Sequence, residues 1–359
     1  MMMNTEKHMD NGNKERHNLI PIIVMAAVVI VIIVLGISYG LGSSTVEATL
    51  TVKTYEYFDT ISEVNVYDNL SKEKKAELGK LIDERLKYYH ELFDIYHTYD
   101  GLNNIKTVND NAGLNAVKVP DELYNLLSFG IAMSEETGGK VNIAMGNLIS
   151  VWNEYREQGE ALPPIRTLLK NAEDADVKYI YMKEDEKSVF LVKENMSIDL
   201  GAVGKGYAAE LLAEDLEEFG VKNALIALGG NIVALGDKSG ELYTVGIEDP
   251  EREDQVKVTL KISDLSVVTS GDYQRYYEVD GKRYCHIIDP DTMFPAEYYR
   301  SVTVIAKSSA FADALSTALF NMEYDKGYAL VHSFDDVEAM WVLQDGTVQY
   351  SSNFEQYIK

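Results

Sequence analysis

The sequence predicts an α+β fold: mixed, largely antiparallel sheets with packed helices, preceded by one N-terminal transmembrane helix. Three observations predict it. Helical and strand patterns are intermixed without the regular alternation that a doubly wound parallel sheet requires. Two Asp-Gly pairs, Asp280-Gly281 and Asp345-Gly346, each sit between apolar strand-like runs, the strongest short hairpin signal. Near the N-terminus, "LIPIIVMAAVVIVIIVLGISYGL", Leu19 to Leu41, holds no charged residue and is long enough to cross a bilayer as a helix.

Residues 1–18 read as a cytoplasmic tail carrying Lys7, Lys14 and Arg16, and the positive-inside bias then sends the C-terminal domain out of the cytoplasm. Residues 19–41 are an anchor or signal segment, longer than a usual signal-peptide core and without a clean small-residue cleavage site. The expected location is the cell membrane, single-pass, with the globular domain on the extracytoplasmic side. Residues 42–52 form a linker, and residues 53–359 form one globular domain. Within it, "DTISEVNVYD" is a strand, and Ser71 to Tyr96 is a long amphipathic helix with Leu78, Leu81, Ile82, Tyr89, Leu92, Phe93 and Tyr96 at helical spacing. A second helix runs from Asp121 to Thr137, entered after Pro120 and stopped by Gly138-Gly139. Trp152 to about Ala175 reads as a loop plus a short helix. Strands "SVFLVK" and "ALIALGG" flank the helix "GKGYAAELLAEDLEEFG", which Gly220 closes. "YTVGIED", "VKVTLKI", the hairpin around Asp280-Gly281, "SVTVIA", the helix "AFADALSTALF" and a last hairpin around Asp345-Gly346 complete the chain.

The chain has 359 residues and a formal net charge of −25. No basic stripe interrupts that charge, so a nucleic-acid partner is excluded. The acidity otherwise reads as a solvated surface. One cysteine, Cys285, rules out an intramolecular disulfide, and its expected role is a buried structural thiol.

Four motifs carry chemistry. "IDLGAVGKGYAAE" places Asp199, two close glycines and Lys205 at a helix entrance, where backbone N–H groups beside a lysine suit a phosphate. It is neither a Walker A loop nor G-x-G-x-x-G. Alone, a plain glycine-rich helix entry explains it as well. "LGGNIVALG" follows an apolar strand with a glycine pair fit for a tight turn. In "VVTSGDYQRYYEVDGKRYCHIIDPDTMFP", Ser270, Gly271 and Asp272 mark a turn, and His286 and Asp289 close a hairpin strand. In "AFADALSTALF", Asp313 and Thr317 lie one turn apart on an otherwise apolar helix. One carboxylate and one hydroxyl suit a hard cation such as Mg²⁺, which commonly takes few protein ligands. A bond from Thr317 to a carbonyl one turn back is the equal alternative.

In this order the motifs resemble the ApbE-type flavin transferases, the FAD:protein FMN transferases. Their D-x-G-x-x-x-K-G-[YF]-A appears as "DLGAVGKGYA", L-G-G-N as "LGGN", S-G-x-Y…H-x-I-D-P as "SGDYQRYYEVDGKRYCHIIDP", and A-D-A-L-[SD]-T as "ADALST". The resemblance runs from about Tyr57 to the C-terminus. It implies transfer of the FMN half of FAD, with Mg²⁺, onto a threonine or serine hydroxyl of an exported flavoprotein, with release of AMP. Simple hydrolysis of FAD to FMN and AMP, or a surface FAD-binding protein without turnover, are the alternatives. The resemblance implies metal ligation by Asp313, Thr317 and the Ala202 carbonyl. It implies FAD contacts at Phe58, Tyr96, Lys140, Val141, Asn142, Asp199, Lys205 and Ile287. The expected catalytic residues are Lys205, as a second positive contact, and His286, as the base that takes the hydroxyl proton, with Asp313 or a metal-bound water as the alternative bases. The family's G-[AG]-F-[DN]-x-[TA]-x-G segment is altered here to "GKVNIAMG", with Lys140 and Val141 for a small residue and phenylalanine.

Overall fold

The computed structural model describes residues 46–252 and 254–359, so the expected membrane segment at 19–41 lies outside the described residues. Among those described, no helix is long and apolar enough to cross a membrane. The elements run β1 (Leu50–Thr54), β2 (Ser62–Val66), α1 (Lys72–Phe93), α2 (Ile105–Asp110), β3 (Val117–Lys118), α3 (Asp121–Glu136), α4 (Gly146–Gln158), α5 (Ile165–Ala172), β4 (Ile180–Lys183) and β5 (Ser188–Leu191). Then follow α6 (Gly204–Phe219), β6 (Ala224–Leu228), β7 (Asn231–Leu235), β8 (Tyr243–Glu248), β9 (Val256–Ile262), β10 (Leu265–Gly271), β11 (Tyr276–Val279) and β12 (Lys282–Cys285). The chain closes with β13 (Tyr299–Ala306), α7 (Ser309–Phe320), α8 (Tyr324–Val331), β14 (Glu338–Leu343) and β15 (Val348–Tyr350).

An eight-stranded antiparallel sheet, in the order β1-β2-β6-β7-β10-β13-β14-β15, is the frame. Its two faces are covered differently. Ala224, Ile226 and Leu228 of β6, with Val302 and Val304 of β13, face one core that also holds residues of α1, α6 and α7. The alternate positions Leu225, Ala227 and Ile305 face a second core closed by Tyr243, Val245, Leu260 and Ile262 of the β8–β9 hairpin. Side chains alternate across a strand, so each central strand supplies both layers. That is why "ALIAL" is apolar at every position. The expected α+β class and its antiparallel pairing are observed.

Several elements differ in detail. The sheet's edge strand β1 begins inside the stretch read as linker. Ser270 and Gly271, read as part of a turn, end strand β10, paired with Val302 and Ser301 of β13; small polar residues there serve close packing against α7. Trp152 is not in a loop: it lies mid-way along α4, fully buried, with its indole N–H donated to the Met293 carbonyl at 2.9 Å. The Asp280-Gly281 turn forms as expected, with φ of 53° and 76°.

Candidate functional site

The site starts where α6 meets α7. An α-helical N–H ordinarily bonds the carbonyl four residues back, which for Gly206 is Ala202. Instead, Gly206 donates its N–H to Asp313 Oδ2 at 2.7 Å. No donor among the described residues reaches the Ala202 carbonyl, and the other oxygen of Asp313 has no hydrogen bond either. The approach demands glycine: a Cβ on Gly206 would stand 2.4 Å from the Ser309 carbonyl and 2.5 Å from Asp313 Cβ. Asp313 is 4% exposed, and its burial raises the carboxyl above its usual range against the pull of Lys205 and the Gly206 bond. A buried carboxyl with one hydrogen bond needs a further positive partner to stay ionised.

Thr317 makes no bond to the carbonyl one turn back. Its neighbour Ser316 does that work, donating to the Asp313 carbonyl at 3.0 Å and lying 2.8 Å from Ser270 Oγ. Thr317 Oγ1 is left 3.4 Å from Ser270 Oγ and half-buried. Asp313, Thr317 and the Ala202 carbonyl therefore retain free oxygen lone pairs. Such a hard-oxygen set, with one carboxylate, fits Mg²⁺ completed by water and phosphate oxygens. Among the described residues no group of three or more His, Cys, Asp and Glu side chains gathers for a metal. That excludes a nitrogen- or sulfur-rich centre there.

Lys205 stands beside this face with no ion pair or hydrogen bond among the described residues, and its charge acts on Asp313, Asp199 and His286. Asp199 accepts the Gly201 N–H at 2.7 Å, and desolvation raises its carboxyl. His286 follows the end of β12. The Arg275 carbonyl accepts its backbone N–H at 3.0 Å and lies 3.3 Å from Nδ1. That contact assigns the proton to Nδ1 and leaves Nε2 as the acceptor. Desolvation, together with the cations Arg275, Lys205 and Arg156, lowers the imidazole to about 3, so it is uncharged at neutral pH.

The remaining expected contacts divide. Phe58 lies in a turn with φ of 59°, its N–H on His90 Nδ1 at 3.2 Å. Gly229 of "LGGN", at φ of 61°, closes over Thr60 of the same turn, which brings two of the motifs together. The Tyr96 ring is 61% exposed, while its hydroxyl end is desolvated and feels Asp199 and Asp59, which raise it. Ile287 is buried. Lys140, Val141 and Asn142 have committed side chains: Lys140 on Asp289 and Asp291, Val141 in the core, and Asn142 on the Ala175 carbonyl and the Ala144 N–H. Cys285 is the expected buried thiol, pushed up to about 12 by desolvation.

Two cations escaped the sequence reading. Arg275 reaches the Asp59 carbonyl at 3.3 Å, and Arg156, one turn after Trp152 on α4, has its ordinary value lowered by burial and by Arg275. No spacing rule marks either; only the "SGDYQR" context of Arg275 could have drawn notice.

Residues 58–341 match the profile of the ApbE family. The chain belongs to that family. It is 33% identical over 316 residues to the FAD:protein FMN transferase of Treponema pallidum, covering 84% of this chain and 86% of that one. It is 31% identical to a Klebsiella pneumoniae protein of the same name, covering 77% of this chain and 85% of that one. The crystal structure of the ApbE protein of Thermotoga maritima superposes with a TM-score of 0.78 at 28% identity, over 86% of this chain and 99% of that one. This ApbE-family chain is an enzyme, a flavinyltransferase.

Proposed function

We propose that this chain transfers the FMN half of FAD onto a threonine or serine hydroxyl of an exported acceptor flavoprotein, with Mg²⁺, and releases AMP. The observation that carries the reading is the diverted Gly206 N–H. It ties the start of α6 to Asp313, leaving the Ala202 carbonyl without a donor among the described residues and the second Asp313 oxygen without a hydrogen bond. The name shared by the matched relatives supplies the substrate, FAD, and the group moved, FMN.

In the reaction the acceptor oxygen bonds to the FMN-side phosphorus, and the bond from that phosphorus to the bridging oxygen breaks. The electron pair leaves with AMP, and the hydroxyl proton must go to a base. Asp313, Thr317 and the Ala202 carbonyl would hold Mg²⁺, whose charge supplies neutralisation of the phosphate oxygens. Lys205 adds a second cation at the helix entrance, where anions are favoured. His286, uncharged and with Nε2 free, is the group proposed to take the proton. Asp199, braced by Gly201, and the Tyr96 ring frame the rest of the dinucleotide.

The test uses the full chain in detergent with FAD, Mg²⁺ and a candidate acceptor, read by mass spectrometry for an FMN-sized adduct on the acceptor. Adduct is expected only when all are present, and Asp313→Ala is expected to lose it. Full transfer by Asp313→Ala would remove the metal assignment. Free FMN and AMP formed at a rate indifferent to acceptor would replace transfer by hydrolysis. We further propose that residues 19–41 anchor the domain on the outer side of the membrane.

A further inference from the structure

Lys140 stands where the family pattern has a small residue, in a segment that the resemblance assigns to the flavin, yet its side chain is fully engaged elsewhere. Its ammonium lies 2.8 Å from Asp289 Oδ1 and 2.9 Å from Asp291 Oδ2. Asp289 is nearly buried, Lys140 is 17% exposed at the side chain, and Asp291 is mostly in solvent. The same residue is tied through its backbone: Asn321, which ends α7, donates to the Lys140 carbonyl at 3.3 Å and to the Ile288 carbonyl at 3.4 Å. Three segments meet at this point: the turn before α4, the loop after His286, and the C-terminal end of the helix carrying Asp313 and Thr317.

We propose that Lys140 is a positioning residue that clamps the loop carrying His286 against the end of α7 through Asp289 and Asp291. The far side of the loop is held by Trp152, which donates to the Met293 carbonyl at 2.9 Å and packs on Phe294, so Lys140 supplies the charged tie at the Asp289–Asp291 side. Asp289 bonds within it, accepting from Asp291 N–H at 3.1 Å and donating its own N–H to the Phe294 carbonyl at 2.8 Å. These contacts shape the loop from within, and among the described residues the helix reaches it only by the long bond from Asn321 to the Ile288 carbonyl at 3.4 Å. The ammonium crosses the gap, and an ion pair this enclosed is little screened by salt. Removing one partner of such a pair leaves a buried carboxylate uncompensated, which forces the loop to rearrange toward water. His286, three residues before Asp289, would then move away from the groups that keep it uncharged, namely its enclosure and Arg275, Lys205 and Arg156.

The catalytic consequence rests on the proposed FMN transfer; the clamp itself does not. The experiment follows the His286 ring by NMR in the full chain in detergent, labelled at histidine and assigned with His286→Asn, without flavin or metal. The wild-type ring is expected to stay uncharged to below pH 4, since its value lies at about 3. In Lys140→Met the titration rises by about one unit or more toward the ordinary value. Lys140→Arg keeps the wild-type value, because its guanidinium can span both carboxylates. In the transfer assay Lys140→Met loses about tenfold in kcat with little change in the KM for FAD, since the clamp serves the histidine more than flavin binding. A purely structural lysine would lower the melting temperature of Lys140→Met and leave the titration where it was; that result overturns the proposal. Should Lys140→Met fail to fold, Asp291→Asn, which removes the exposed half of the clamp, decides it: an upward shift supports the clamp and none refutes it. If the wild type transfers no FMN, the functional reading falls while the titration still tests the clamp.

Discussion

Asp313 and Gly206 act as a pair. Gly206 has no Cβ because none fits, and the space so freed lets its N–H reach the carboxylate. Gly206→Ala is therefore expected to cost about 1–3 kcal/mol of stability from overpacking. It also displaces Asp313, so FMN transfer should fall further than the change in melting temperature explains; an alanine variant with wild-type activity and stability would contradict this packing. His286 allows a prediction with a definite sign. Its folded value, about 3, lies below its ordinary 6.5, so between these the unfolded chain binds the extra proton. Stability from this group is complete above pH 6.5 and declines as pH falls toward 3. Urea midpoints measured at pH 7 and 4.5 should thus separate more for wild type than for His286→Asn, in which carboxylate contributions are unchanged. Asp313, Lys205 and His286 were legible because their motifs stand in a fixed order. Arg156 and Arg275 were not, since nothing along the chain shows that α4 and the loop after β10 converge. Ser316, whose polar side chain had no evident role within "AFADALSTALF", bonds the Asp313 carbonyl and Ser270.

At the scale of elements, α7 owes its start to α6. Ser308 accepts the Phe311 N–H at 3.1 Å as the cap, and Glu210 of α6 accepts from Ser308 Oγ at 2.6 Å and from the Ala310 N–H at 3.1 Å. A carboxylate at a helix N-terminus satisfies donors that lack intrahelical partners and opposes the positive end of the dipole. Glu210→Ala is expected to cost about 1–2 kcal/mol, as loss of a cap does, and to be visible as a lower urea midpoint at neutral pH. Long periodic helices and both Asp-Gly hairpins were readable because local chemistry alone decides them; α1 spans Lys72–Phe93 inside the expected stretch, with Ser71 as its cap. The end of strand β10 was obscured because Ser270-Gly271-Asp272 looks like a turn until α7 packs on the strand and makes small residues necessary. Helix α4 was obscured in the same way, since Trp152 is buried by Tyr284 and Phe294, more than a hundred positions away.

For the whole molecule, the proposed anchor has a direct check. In cells making the full chain, the protein should sediment with membranes, resist extraction by high salt, and be digested by protease added outside the cytoplasm; recovery in the soluble fraction would contradict anchoring by residues 19–41. The bond between Gly206 and Asp313 has one more consequence, and it concerns time. Its partners are 107 residues apart, and strands β6, β7, β10 and β13 of the main sheet lie between them. Contacts of that sequence separation form late, after the entropy of closing the intervening chain has been overcome. A chain in which α6 has formed before α7 docks has the lysine but no carboxylate opposite. Under the proposed role of Asp313, competence to cleave a dinucleotide arrives only when α7 docks on α6, and a molecule without that contact is expected to leave FAD intact.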